Sequence, residues 1–361
     1  MFEPGIAEHR SLTGDFPVLV WGGTGFIGMH LVRALLNFTS EVRVLSRSER
    51  SDTARPWGKQ VRWFQLTGNE TDEGVMRDAL ASVRVVYNLA GSSGAVESNR
   101  QPKESLDSIC GSQLQFLAAC AHSRARPHVV FSSSWLVYGP THRALLREDS
   151  PLAPGSMYAS HKLCAEHYHQ ISASHGAISY TICRISNVFG PDAGRSGIWQ
   201  GFLNSMIRNT VQGNPITLFG DGRQVRDFLY IDDVVEGMLR CGIHPAAKNQ
   251  VFNFGRGNGI SIRDAADEIH RACPGNLLFA PWPPDYEIVE SGDCLLDTTK
   301  LCKALAFRPR TDFPTGIAAT ISAMSDRADT TSPEQTRSGP GRGFSYAVGA
   351  GAPAMQATKA G

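Results

Sequence analysis

Short apolar runs alternate with stretches of helical periodicity along this chain. Val18 to Trp21 is apolar throughout, as a buried parallel strand requires. The run breaks at Gly22, and Phe26, Ile27, Leu31, Leu35 and Leu36 then fall on one face of a helix. Glu41 to Leu45 reads as a second strand, Val61 to Leu66 as a third, and Val83 to Ala90 as a fourth, with a helix from about Glu73 to Ala81. Ser105 to His122 has helical period through Leu106, Ile109, Leu114 and Leu117, and His128 to Ser132 follows Pro127 as another strand. Such alternation predicts an α/β fold, a Rossmann-type doubly wound parallel sheet. Its ligands lie off the carboxyl ends of the strands.

From Ile198 the pattern is less regular. Helices at Phe202 to Val211 and Val234 to Cys241, with a strand at Ile216 to Phe219, fit a smaller C-terminal α/β substrate-binding lobe. Val251 to Phe254 is a strand, and Ser261 caps the helix after it. Asp232-Asp233 reads as plain capping before the helix at Val234. After Ser325, Pro, Gly, Ser, Thr and Ala dominate. The expected organisation is a leader over 1–15, a nucleotide-binding domain over 16–185, and a substrate-binding lobe over 186–325 whose chain crosses back to the sheet. A disordered tail over 326–361 completes it.

The 361 residues leave room for about two domains. With 35 basic against 34 acidic side chains, charge gives no ground for binding nucleic acid or an anionic membrane. The eight cysteines form no C-x-x-C pair and sit in apolar patterns, so they read as reduced thiols rather than a metal site. No apolar run reaches the ~18 residues of a membrane helix, and the first fifteen residues lack a signal-peptide core. A cytoplasmic setting is the expectation.

The chemistry-bearing positions lie at strand ends. Gly22, Gly25 and Gly28 make a tight turn, a close approach for a pyrophosphate and a close helix–strand contact. With Thr24, Phe26 and Ile27 they form the expected cofactor turn, beside a helix N-terminus that favours phosphate. The triplet alone also fits an ordinary strand-to-helix turn. The second strand ends in Ser46-Arg47, where an acidic residue would suit the 2′-hydroxyl of NAD; Arg47 leans toward the 2′-phosphate of NADP(H). Asn69 and Glu70 are placed to meet the adenine, and Leu89, Ala90 and Gly91 to let the cofactor pass. Ser132-Ser133-Ser134 ends a strand, and Tyr158 and Lys162 share one helix face. A phenol titrates near ~10 and needs a neighbouring cation to act as a base at neutral pH.

These motifs resemble the extended short-chain dehydrogenase/reductase family, in its NAD(P)-dependent epimerase/dehydratase branch acting on nucleotide sugars. The likeness covers roughly residues 17 to 320. It implies that Ser134, Tyr158 and Lys162 are catalytic, with Lys162 also holding the nicotinamide ribose. Arg184-Ile185-Ser186-Asn187-Val188-Phe189-Gly190-Pro191 resembles a segment whose asparagine, here Asn187, contacts the substrate diphosphate. Gly220 to Phe228 resembles a stretch whose arginine, here Arg226, pairs with that diphosphate, a role suited to a guanidinium fork. A homodimer is implied by the same resemblance.

Departures narrow the reading. Trp135 and Leu136 stand where 4,6-dehydratases carry Asp-Glu, so dehydration is not expected. The family's N-V-x-G-T helix reads Ser108 to Ser112, and its R-P-G-D stretch is replaced by Pro281-Trp282-Pro283-Pro284-Asp285, which removes a phosphate-binding arginine. The expectation is a nucleotide-sugar epimerase of the UDP-glucose 4-epimerase kind, without a metal. The alternatives are an NADPH-dependent ketoreductase of a nucleotide-linked ketosugar and a non-catalytic nucleotide-binding protein.

Overall fold

The central strand β1 (Val18–Trp21) is buried along its whole length, with no residue more than 4% exposed, because helices cover both faces of its sheet. The computed structural model describes residues 16–47, 57–68, 72–91, 94–140, 145–191 and 201–328. The expected leader, Asn69, Glu70 and the tail beyond Ala328 lie outside the described residues.

After β1 come α1 (Phe26–Leu35), β2 (Val42–Ser46), β3 (Val61–Gln65), α2 (Asp72–Leu80) and β4 (Val85–Asn88). Then follow α3 (Ala95–Arg100), α4 (Pro102–Leu106), α5 (Ser112–Ala121), β5 (His128–Ser134), α6 (Met157–Ser174) and β6 (Ser179–Ile185). The later elements are β7 (Asn187–Phe189), α7 (Phe202–Val211), β8 (Ile216–Phe219), β9 (Val225–Tyr230) and α8 (Ile231–Ile243). The chain continues through β10 (Gln250–Phe254), β11 (Gly259–Ser261), α9 (Ile262–Ala272), β12 (Leu277–Ala280), α10 (Thr299–Leu305) and α11 (Phe313–Ala328).

Seven strands pair in the order β10-β6-β5-β4-β1-β2-β3, all parallel. The order turns back at β1, so the crevice between the carboxyl ends of β1 and β4 is the place for a ligand. Helix α1 presses Leu31, Val32 and Leu35 onto the sheet, each 1% exposed or less, at about 1.5–3 kcal/mol per side chain buried. A smaller lobe holds the sheet β11-β9-β7, with β9 parallel to β7 and antiparallel to β11, and the parallel pair β12-β8.

Three local expectations change. The periodic stretch 105–122 is one path but not one α-helix: Asp107–Gly111 widens into a π turn, closed by the Ser112 N–H to the Asp107 carbonyl. The helix at 231–243, read from sequence as part of the smaller lobe, packs on the large sheet instead. The hydroxyl of Tyr87 on β4 donates to its Leu239 carbonyl at 3.4 Å, and an imidazole nitrogen of His128 on β5 lies 3.0 Å from its Cys241 carbonyl. Amphipathic spacing shows that a helix has a buried face without showing which sheet receives it. Asp233 is not a cap: its carboxylate accepts the backbone N–H groups of Arg310 and Thr311 at 2.8 and 3.0 Å, pinning the chain between α10 and α11.

Candidate active site

The glycine turn is fixed by close backbone approaches. Gly22 has φ +84, and a Cβ there would stand 3.0 Å from the Leu89 carbonyl at the end of β4. A Cβ on Gly28 would lie 2.2 Å from the Gly22 oxygen, so only glycine lets α1 start this close to β1. Gly25 begins α1 with no side-chain cap, which leaves the first-turn N–H groups to face the crevice. Beyond the turn, Thr24 and Ser46 share a hydroxyl hydrogen bond of 3.0 Å.

Two adjoining cavities meet at Gly22, Gly25, Leu89 and Gly91. The larger, about 670 Å3, runs past Thr24, Ser46, Arg47 and Ala90 to the π turn at Ser108 and Gly111. Arg47 is the only cationic side chain among the described residues lining it, opposite Glu104 and Asp107. At its far end the Asp72 carboxylate accepts the N–H groups of Thr67 and Gly68 at 2.8 and 2.7 Å. The smaller cavity, about 170 Å3, is lined by Phe26, Ile27 and Gly28 on one side and by Ser134, Tyr158 and Lys162 on the other. The Ser186 hydroxyl also lines it, buried and with no hydrogen-bond partner. An uncapped helix start, glycines that a Cβ would block and an orphaned hydroxyl suit a dinucleotide lying across β1 and β4.

Each catalytic candidate is positioned by other elements. The Tyr158 N–H donates to Ser98 Oγ and the Met157 N–H to Asn99 Oδ1, both at 2.9 Å, so α3 caps the first turn of α6. Lys162 Nζ donates to the Ser132 carbonyl at 2.8 Å, sits 5.0 Å from the Phe131 ring centre and 5.9 Å from that of Tyr158. Ser134 accepts the Leu136 N–H at 3.2 Å and hydrogen-bonds the Tyr158 phenol. The middle serine is not available: Ser133 donates to the Glu166 carboxylate, which also takes Arg184 Nη2 at 2.8 Å. That ion pair is buried, with side chains 5% and 1% exposed, and Tyr138 and the Glu148 carbonyl complete its hydrogen bonds.

Burial dominates the titration of this site. It pushes Tyr158 up to about 12, against the Ser134 hydrogen bond, which lowers it. It pushes Lys162 down to about 8, against Glu166 one turn along, which raises it. Burial thus opposes the phenolate that Lys162, aided by a cationic nicotinamide, is expected to favour. Tyr158 is a phenol, not a phenolate, at neutral pH until further positive charge is brought beside it.

Asn187 and Arg226 are not among the residues lining either cavity. Asn187 Nδ2 donates to the Asp227 carbonyl at 3.3 Å. Arg226 is buried, its guanidinium 5.7 Å from the ring centre of Trp135 and paired with Glu290. The turn that faces Arg226 is Glu290 to Asp293. Asp293 Oδ1 accepts the Val225 N–H at 2.8 Å, whereas Trp282 packs on Phe219 and Asp285 pairs with Arg100. The sequence reading missed Glu166, which its place one turn beyond Lys162 could have signalled; Ser98, Asn99 and Glu290 come in only through tertiary contacts.

A family model described as "NAD dependent epimerase/dehydratase family" matches residues 18–255, more than half of the chain. The chain belongs to that family. A UDP-glucose 4-epimerase of Mycolicibacterium smegmatis is 29% identical over 84% of this chain and 96% of its own length. A dTDP-glucose 4,6-dehydratase of an Actinoplanes species is 27% identical over the same shares of the two chains. The solved structure of a Thermus thermophilus UDP-glucose 4-epimerase in complex with NAD superposes with a TM-score of 0.74 at 26% identity, covering 85% of this chain and 98% of that one. This epimerase/dehydratase chain is thus similar over most of its length to enzymes named for more than one reaction, and the site residues must separate them.

Proposed function

We propose that this enzyme is an NAD(P)-dependent nucleotide-sugar epimerase that removes a hydride from a sugar carbon and returns it to the opposite face. The observation that carries the reading is the meeting of Ser134, Tyr158 and Lys162 with the glycine turn around one small cavity. The residues fit a nicotinamide dinucleotide: Phe26, Ile27 and Gly28 offer N–H groups to its phosphates, Leu89 to Gly91 flank it, and Lys162 is placed for the ribose. Bound there, the cofactor supplies the hydride acceptor and a positive ring. With that charge beside it, the Tyr158 phenol, at about 12 without it, would come down toward the working range, and Tyr158 would take the proton of a sugar hydroxyl. Ser134 holds the same oxygen by its hydrogen bond, and Lys162 keeps a cation beside the pair. When hydride returns, Tyr158 gives the proton back.

Elimination of water needs an acid and a base beyond this set, and a dehydratase is among the relatives. Here the positions after Ser134 hold Trp135, packed with Val137, Tyr138 and Leu296, and Leu136, neither of which transfers a proton. This argues for epimerisation over dehydration. A second reading, an NADPH-dependent ketoreductase, is favoured by one feature, Arg47 at the ribose end of the larger cavity.

The substrate site is assigned to the cleft between the sheet and the smaller lobe, with Asn187 and Arg226 toward the diphosphate. We also assign the enzyme to a homodimer through α5 and α6. Their exposed positions include Leu114 and Ile171, 51% and 54% exposed, and carry no Asp, Glu, Lys or Arg.

The test is turnover of UDP-glucose, UDP-glucuronate and dTDP-glucose with a trace of NAD. An epimer formed without net NADH is the expected product, and Tyr158→Phe lowers its rate by about 10²–10⁴-fold. Unchanged turnover in Tyr158→Phe would falsify the role of the phenol, and stoichiometric NADPH oxidation by a ketosugar nucleotide would establish the reductase instead.

A further inference from the structure

Arg226 on β9 is already engaged by its own chain through both terminal nitrogens. Its Nη1 donates to the carbonyls of Val225 and Gly292, at 3.0 and 2.5 Å, and Nη2 pairs with Glu290 Oε1. The same carboxylate oxygen accepts the Gly292 N–H at 3.0 Å, so side chain and turn lock together. The guanidinium lies over Trp135, the residue after the Ser134 of the site. The turn itself is anchored, since Cys294 N–H donates to the Val225 carbonyl at 2.9 Å. At the other end of this segment Asp285 takes Arg100 Nε at 2.9 Å, and Arg100 closes the helix whose Ser98 and Asn99 accept the Tyr158 and Met157 N–H groups.

Electrostatics decides what this pair does. The Arg226 side chain is 7% exposed and that of Glu290 is 23% exposed, so the carboxylate is the partner with a path to solvent. A buried guanidinium without a counter-ion costs several kcal/mol, and Glu290 supplies the counter-ion. A substrate diphosphate at the arginine fork competes with the carboxylate for Nη2, and the carboxylate remains on the same short turn as a like charge.

We propose that Glu290 is a specificity-determining residue, an internal competitor for Arg226 that holds down the affinity of the cleft for nucleoside diphosphates. The proposal rests on the nucleotide-sugar reading above. It makes the strength of substrate binding a property of the exchange between two anions on one guanidinium.

The experiment is titration of UDP and of dTDP into protein saturated with NAD, or with NADP if that binds more tightly, so that the cofactor's own diphosphate site is filled. Glu290→Gln tightens binding of at least one nucleotide by about tenfold or more, as removal of an adjacent like charge requires. Glu290→Asp, which keeps the charge, stays within about twofold of the unsubstituted protein, and Arg226→Lys placed on Glu290→Gln removes the gain. Unaltered dinucleotide affinity in Glu290→Gln reports an intact cleft. Equal or weaker nucleotide binding by Glu290→Gln, an equal gain in Glu290→Asp, or a gain that survives Arg226→Lys overturns the inference and leaves the nucleotide-sugar reading in place. Failure of both nucleotides to bind any of the proteins overturns that reading, and the inference with it.

Discussion

Tyr158 and Lys162 sit four residues apart on α6, and their burial drives the two groups in opposite directions, the phenol up to about 12 and the ammonium down to about 8. The sign follows from which form is charged: burial penalises phenolate and ammonium alike. Lys162 therefore loses its proton as pH rises through about 8, and the charge that assists Tyr158 goes with it. Glu166 raises the lysine, so Glu166→Gln lowers it further. A pH–rate profile of the unsubstituted enzyme is expected to fall through about 8, and the same limb in Glu166→Gln is expected at lower pH. An unmoved limb would show that Glu166 acts only through packing. The variant also leaves Arg184 without its buried partner, a loss of about 3–5 kcal/mol that a melting curve reads separately. At this scale the sequence was informative where spacing is local. Ser134, Tyr158, Lys162 and Glu166 lie on two elements whose faces periodicity defines, whereas Ser98 and Glu290 come from 60 and more positions away in the chain, through folding that no local pattern records.

The turn from β1 to α1 is the element that makes the crevice, and its geometry leaves no space for a methyl group at Gly28, where a Cβ would fall 2.2 Å from the Gly22 oxygen and 2.7 Å from the Gly23 Cα. Gly28→Ala is expected to cost at least about 1–3 kcal/mol of stability and to weaken dinucleotide binding, read by melting and by NAD titration. Gly74→Ala in α2 is the control: its Cβ would meet nothing nearer than 4.0 Å, and alanine in a helix interior adds up to about 1 kcal/mol. Equal losses in both variants would contradict the assignment of Gly28. The strand–turn–helix was legible because three glycines at this spacing serve one geometry. The π turn at Asp107–Gly111 was not, since one added residue per turn leaves the apolar period almost intact. Nor was the seat of α8, because its apolar face fits either lobe until the sheet order is known.

Across the whole molecule, the large parallel sheet supplies the crevice at β1 and β4, and the smaller lobe holds Arg226 and Glu290 beside Trp135. The fold class was evident in the alternation of strands and helices; the meeting of the lobes was not, and the contact between Arg226 and Glu290 went unread for that reason. The charge-free outer faces of α5 and α6 belong to this scale too. Light scattering is expected to give the mass of two chains, and Leu114→Glu with Ile171→Glu the mass of one; a single-chain mass for the unsubstituted protein would remove the dimer. The central claim, that hydride leaves and returns at one site, requires a cofactor that stays. The most direct measurement is to purify the protein without added nucleotide, denature it and identify what it releases by mass. Near-stoichiometric NAD(H) is the predicted result and would also refute the lean toward NADP(H) drawn from Arg47. An empty site that binds NADPH selectively would contradict the recycled cofactor and establish a reductase that exchanges it at every turnover.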